Sequence, residues 1–542
     1  MSRREWQGSH RNSSWLAGVA IAWGLGLVGY LMAQSDGPRF PANPNVHQTG
    51  NAAAGRDVFR FETFGNERFW TDAVRLPAGM IASNFTPLRA LQNGLHIDSD
   101  AIPAAMRDPL MAELRTDLSA ARAPLLNNVS TTVALINANA VIGLPPKDTD
   151  RNGRIDIRAG DKVGATCALC HTITDNSVVS MPNGGSIGRR LDGRAPHTLN
   201  FGNLVATGTN SLAYYPALQL SLSANGGATF GRAPRGLTEE SSEADADAYL
   251  SNPQFYPPGM FDDTVDGNGD PMHNAPLFRT DLAAPWGSEG AIQFLDNFSN
   301  LVYTALLDPT PLTTPGGRAF LRALGGPAAG EEIASDYVRV LARTGVSGYP
   351  FVQASPHPMP GSEAAPLGIR VDNTKLLDMN AYLNSLPAPP GVTDDQGAVA
   401  RGRERFRINC TFCHNADQST FVPPAIVPMR FIFPGDAPVV LLPQRMAPLN
   451  PIVDTPGNTF DDKMAVVNAS LRGLERGIAL PLLLDLARKP VFLHDNSVPS
   501  LEALLDPGRG AAAPHPFYLS RERHRDDVIA FLRSLSTDAA GR

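Results

Sequence analysis

Apolar positions along the chain form two matching pairs of short stripes. In Arg523–Ser536, Val528, Ile529, Phe531, Leu532 and Leu535 fall on one helical face. In Ala400–His414, Gly402 and Phe406 stand four apart on a short helix that leads into a C-x-x-C-H string. Each stripe has an earlier counterpart. Ala53–Phe61 repeats the G-R-x-x-F-R of Gly402–Arg407, and Asn380–Pro387 repeats Ile529–Ser536. A small glycine in such a stripe lets two helices approach closely. The pattern predicts an internal duplication: module 1 over residues 52–387 and module 2 over 396–537, joined by a Pro/Gly-rich linker at 388–395. Module 1 is enlarged. Phe406 precedes the first cysteine of its motif by four residues, whereas Phe59 lies far upstream of Cys167, so an insertion spans about 62–162. Its apolar segment Thr131–Leu144 predicts a helix. A second insertion, rich in Gly, Pro and Asn, covers about 178–330, and such segments often carry function on a rigid scaffold. They also serve simply to wrap a buried cofactor and exclude water.

Length and charge narrow the class. A chain of 542 residues exceeds one ordinary core, at roughly 150 residues per domain. The 43% hydrophobic and 18% charged content is that of a folded protein. A net charge of −7 with no basic run after residue 11 argues against nucleic acid as a partner. The 49 glycines and 47 prolines predict much loop. Arg3, Arg4 and Arg11 precede the uncharged run Trp15–Ala33, which reads as an export segment. Residues 1–34 are then a cleaved signal peptide or an N-terminal membrane anchor, and the rest lies in the periplasm or is otherwise exported.

The chain has four cysteines, and all sit in two C-x-x-C-H strings, Cys167–His171 and Cys410–His414. Two thiols three positions apart share one side of a helical turn and can each add to a vinyl group of haem. The following imidazole then projects beneath the porphyrin to bind iron. Cys167, Cys170 and His171 would hold one haem c, and Cys410, Cys413 and His414 the other. A zinc site made of two C-x-x-C halves does not explain a histidine after both pairs. A thioredoxin-type pair needs a strand before and a helix after, and these flanks are rich in Gly, Thr and Asn. The expected fold is mostly α: two cytochrome c-like haem domains, the first enlarged by long loop-rich insertions.

The second axial position of each iron decides between electron transfer and small-molecule chemistry. For the second haem the candidates are His515, His494, Met429 and Met446, with His515 preferred because it lies just before the C-terminal helix. For the first they are Met181, His197, Met260, Met272 and His273, and the sequence does not choose among them. Trp286 and Glu289 are candidates to line the first haem or bridge the two, against a plain core Trp and surface Glu. Asp148, Asp150, Asn152 and Asp156 occupy positions 1, 3, 5 and 9 of an EF-hand-like loop with Gly153 at 6, a candidate Ca²⁺ site. Position 12 is Ala159, and Asp161 is a candidate substitute. An acidic turn is the alternative, and residues 266–270 hold a weaker echo.

These motifs resemble the bacterial dihaem cytochrome c peroxidase superfamily, which includes the dihaem rubber oxygenases. The segment from Val491 through His515 to Leu535 is similar to the family's Tyr-Phe-His-Asn-Gly-Ser … Leu-x-x-Leu stretch before its last helix. The resemblance implies a mostly helical fold with haems linked through a tryptophan, one haem catalytic and one relaying electrons, and Ca²⁺ between domains in the peroxidases. By position His515 lies where that family keeps the second haem's distal ligand, and His494 matches the motif histidine. The expectation is an exported redox enzyme, peroxidase- or oxygenase-like, that meets a redox partner protein or a small oxidant such as peroxide or O₂. A pure electron-transfer cytochrome and a haem-based sensor are the alternatives.

Overall fold

The structure is a computed structural model describing residues 47–217, 237–262, 271–414 and 466–535, apart from 48, 254–255, 279, 281–285, 287–291, 293, 326, 357–364, 388, 411–413, 472–473, 480–482, 484, 494–495, 497, 512, 514 and 516–517. Helix makes up about 47% of it and strands are few, so the fold is mostly α. Trp15–Ala33, Glu289, Cys413, Met429, Met446, His494 and residues 266–270 lie outside the described residues. Among the described residues no helix is long and apolar enough to cross a membrane.

The duplicated stripes become two helix crossings. Helix α1 (Ala52–Phe61) begins at Asn51, whose side chain accepts from the Ala53 and Ala54 N–H groups, a favourable N-cap. It crosses a later helix over Asn373–Ser385. In module 2 the Gln396–Asn409 helix, capped by Asp395, crosses the Glu522–Ser534 helix. A Cβ added at Gly55 would overlap the Asp378 carbonyl, and one at Gly402 would overlap the Asp527 carbonyl. Phe59 meets Tyr382 at 5.8 Å and 54°, and Phe406 meets Phe531 at 5.3 Å and 53°. The two crossings therefore share one geometry, with a glycine at closest approach and an aromatic pair one turn on.

The first insertion builds core. Phe69, Trp70, Phe85 and Leu91 are fully buried, each worth about 1.5–3 kcal/mol on burial. Thr131–Leu144 is helical only in part. Helix α2 (Val129–Asn137) ends where Asn139 takes φ +57. The Asn139 and Ala140 N–H groups donate to Ile136 O and Leu135 O, a C-terminal cap, and Val141 then bridges to Ile97. Helix α3 (Cys167–His171) runs into β1 (Thr172–Thr174), which pairs antiparallel with β2 (Arg190–Asp192). A hairpin of β3 (Met260–Asp262) and β4 (Pro271–His273) follows. We label the duplicated pairs α4 (Asn373–Ser385), α5 (Gln396–Asn409) and α6 (Glu522–Ser534).

Among the described residues, module 2 has a smaller core, formed by Val399 and Phe406 of α5, Val528, Phe531 and Leu532 of α6, and Phe492, Val498 and Leu501 between them. The linker is pinned to it, with Val392 N–H donating to Arg533 O at 2.8 Å. The modules also touch directly. Arg194 pairs with Asp485 at 3.2 Å, and His273 Nδ1–H donates to Leu493 O at 3.0 Å.

Candidate functional site

The first C-x-x-C-H string forms one helical turn, α3, with Cys167 and Cys170 as free thiols. Thr166 Oγ1 donates to Arg60 O at 3.2 Å, tying the turn to the end of α1. Cys167 Sγ lies 3.5 Å from the Tyr303 hydroxyl. Behind the turn, Asp192 accepts from Arg60, Tyr382 and Thr172 at 2.5, 2.6 and 3.0 Å, joining α1, α4 and the β1–β2 ribbon. His171 Nδ1 lies 2.8 Å from the Ala275 carbonyl. A carbonyl only accepts, so Nδ1 carries the proton and Nε2 keeps its lone pair. Burial lowers the His171 pKa to about 4, so the ring is neutral at pH 7. This is the state an iron-ligating imidazole needs, with its outer N–H held by a backbone acceptor.

The thiols weigh against a disulfide-exchange pair. Burial pushes Cys167 up to about 11 and Cys170 up to about 12, whereas redox-active C-x-x-C cysteines have lowered values. Two neutral thiols and one neutral imidazole on a single turn fit covalent haem attachment.

At the second string, Cys410 N–H donates to Phe406 O and His414 N–H to Cys410 O, at 2.8 and 2.9 Å, so the motif's first cysteine caps α5 and its histidine is bonded back to that cap. The Phe406 ring lies 5.9 Å from the His414 ring. His515 has its pKa lowered to about 3, by burial first and then by the nearby His414 and Arg509. The influence of His414 puts two imidazoles far apart in sequence in one neighbourhood, which keeps His515 as a candidate second ligand. His515 also takes φ +52, a conformation rare for a non-glycine residue and often found at functional positions. Arg509 holds its carbonyl at 3.2 Å.

The candidates around the first string separate. Asn274 N–H donates to Gly259 O, and Leu277 N–H to Gly193 O, at 2.8 and 2.9 Å, which fastens the β3–β4 hairpin beside Ala275. The hairpin, with buried Met260 and His273, is therefore tied to the segment that holds His171 Nδ1. Met272 pairs with Phe261 in the hairpin. His197 stands with its ring 6.4 Å from that of His273. Met181 sits in a separate turn, its N–H donating to Gly185 O. Trp286 stacks on Phe298 at 6.0 Å and packs against the module 1 core, a packing role.

In the acidic loop the carboxylates of Asp148, Asp150 and Asp161 come within 4.8 Å of one another. Gly153 N–H donates to Asp148 and Asn152 N–H to both Asp148 and Asp150, at 2.8, 3.1 and 3.0 Å. Asp161 joins as the substitute, its pKa lowered first by the Asp156 and Thr149 N–H groups. Asp156 lies outside the trio, and its carboxylate accepts from Arg158 N–H at 2.9 Å. The oxygen-only donor set fits Ca²⁺.

Sequence reading missed the groups that orient the first motif. Ala275 acts through its backbone, which leaves no side-chain signal, and Asp192 and Tyr303 are ordinary residues until folding brings them in. Buried His96 was also missed. Ser186 N–H donates to its Nδ1 at 3.2 Å, and its Nε2 is buried without a partner. Comparison with known protein families, curated proteins and solved structures finds no match.

Proposed function

We infer that this chain is an exported dihaem c-type cytochrome acting as a redox enzyme of the peroxidase or oxygenase type. The reading rests on one observation above all: the Cys167–His171 turn presents two free thiols and a neutral imidazole whose Nδ1–H is held by Ala275 O, leaving Nε2 for iron. A haem bound at each motif supplies one-electron chemistry and, where one axial position is open, a place for peroxide or O₂ to react. Cys167 and Cys170 would anchor the first group, Tyr303 borders the Cys167 sulfur, and Ala275 orients the His171 ring. Cys410, Cys413 and His414 would anchor the second, with His515 the candidate further ligand. Asp148, Asp150, Asn152 and Asp161 would hold Ca²⁺ and stiffen the segment ahead of the first motif. The His414–His515 pair favours an electron-relay role for module 2, and the same pair in both modules would make the chain a pure electron carrier.

The test is an optical and EPR titration of the haem-loaded protein with peroxide, CO and O₂. Ligand binding at one centre of two supports the enzyme reading. Two low-spin centres inert to all three, even after half-reduction, leave the electron carrier. A purified protein without covalent haem at either motif sinks both.

A further inference from the structure

The bond that orients His171 is anchored from outside its own module. Ala275 O, the acceptor for His171 Nδ1–H, lies two residues after His273 on one short segment. On one side this segment is fixed within module 1 through Gly259 and Gly193, and Gly193 N–H in turn donates to His171 O at 2.8 Å. On the other side His273 reaches module 2 with both ring nitrogens. Its Nδ1–H donates to Leu493 O at 3.0 Å, and its Nε2 accepts from Lys489 Nζ at 2.9 Å. The ring is 7% exposed and cannot turn without breaking both bonds. Lys489 is an ammonium taken out of water, which works against stability unless its contacts recover the loss. An apolar contact would glue the modules together with less desolvation. What this arrangement adds is a fixed position for the 273–277 segment, and so for the acceptor of the His171 proton.

We propose that His273 is a positioning residue through which module 2 fixes the axial imidazole of module 1 and sets the redox potential of the centre there. The inference rests on the reading of the Cys167–His171 turn as a haem-attachment site. A well-held Nδ1–H···O bond makes the imidazole a stronger donor and favours oxidised iron. Loosening it weakens that donation and moves the midpoint of this centre to a more positive value.

The experiment is a redox titration of the full-length, haem-loaded protein, with the two centres resolved by EPR and the iron–histidine stretch read by resonance Raman. The variants are H273L, H273N and K489M. In H273L the oxidised/reduced equilibrium of the Cys167–Cys170 centre should shift toward the reduced form by about tenfold, the lower end of the loss seen when outer partners of a ligating histidine are removed. Its iron–histidine stretch should fall, while the midpoint of the other centre stays in place. H273N keeps a donor for Leu493 O and should recover most of the shift. K489M leaves the Nδ1 bond intact and should move the midpoint in the same direction by less, a readout that survives if H273L fails to fold. Normal haem loading with unchanged midpoints in H273L and K489M overturns the inference and leaves the proposed function standing. Unaltered protein without haem on Cys167 and Cys170 sinks the proposed function, and this inference with it.

Discussion

The two modules repeat one helix crossing and then support their motifs in opposite ways. Gly55 with Phe59–Tyr382 in module 1 stands where Gly402 with Phe406–Phe531 stands in module 2. In module 1 His171 is held at Nδ1 by Ala275, from a segment inserted after the motif. In module 2 the first cysteine of the motif caps α5, and a second imidazole, His515, lies close enough for His414 to lower its pKa. The crossing is thus a local device that works with a small core or a large one. The surroundings of the motif histidine are where the two modules diverge, which fits the proposal that one centre reacts and the other relays.

The sharpest way to break the comparison is to remove the cysteines of one motif at a time. C167S/C170S and C410S/C413S should each cost one covalent haem and leave the other, read by intact mass and haemochrome absorbance. Loss of both haems from either variant would mean that the modules are not independent attachment units. Next in size are G55V and G402V. Each forces a side chain into a carbonyl of the partner helix, and each should destabilise its module by about 3 kcal/mol or more, measured by denaturant unfolding. A mild effect at one site alone would end the claim of shared geometry.

His96 sharpens the contrast because it belongs to the insertion. Burial lowers its pKa to about 4 from 6.5, so between those values the unfolded chain binds more protons. Stability is full above pH 6.5 and is lost as pH falls toward 4, by at most about 3 kcal/mol. H96Q should flatten unfolding free energy against pH across that window, and an unchanged slope would exclude His96 as its source. In module 2, Asp527 accepts from Arg401 Nε and Nη2 at 3.1 and 2.8 Å. D527N should cost about 2 kcal/mol through the lost charged hydrogen bonds, with haem content intact. The smallest expected effect is Ca²⁺ binding. At ten times its Kd the ion should stabilise the folded protein by about 1.4 kcal/mol, and D148N/D150N should abolish the shift in the melting curve.

Much of the frame was legible in the residues. The helical stripes located all four crossing helices because apolar periodicity follows from a helix having one buried face. The boundaries were softer. Thr131–Leu144 promised a longer helix than Val129–Asn137, since a stripe cannot register the left-handed turn at Asn139 that ends it. The enlargement of module 1 read as loop-rich insertions, yet the first carries Phe69, Trp70 and Phe85 into the core. The acidic loop showed its ligand spacing but not that Asp161 would converge with Asp148 and Asp150 while Asp156 turned to Arg158.

By itself the sequence determined the local frame of the proposed attachment sites. Two thiols and an imidazole within five residues carry their spacing wherever the chain goes, because one helical turn is short and stiff. It also determined the two similar helix crossings, since a glycine and an aromatic four apart mark a close crossing from local spacing alone. Only the tertiary structure decided which groups hold His171, that His515 would fall within the influence of His414, and that His273 would join the modules. Those contacts depend on backbone carbonyls and on residues far apart in the chain, and neither leaves a periodic trace. A carbonyl has no side chain to select, and long-range proximity is set by how the whole core closes.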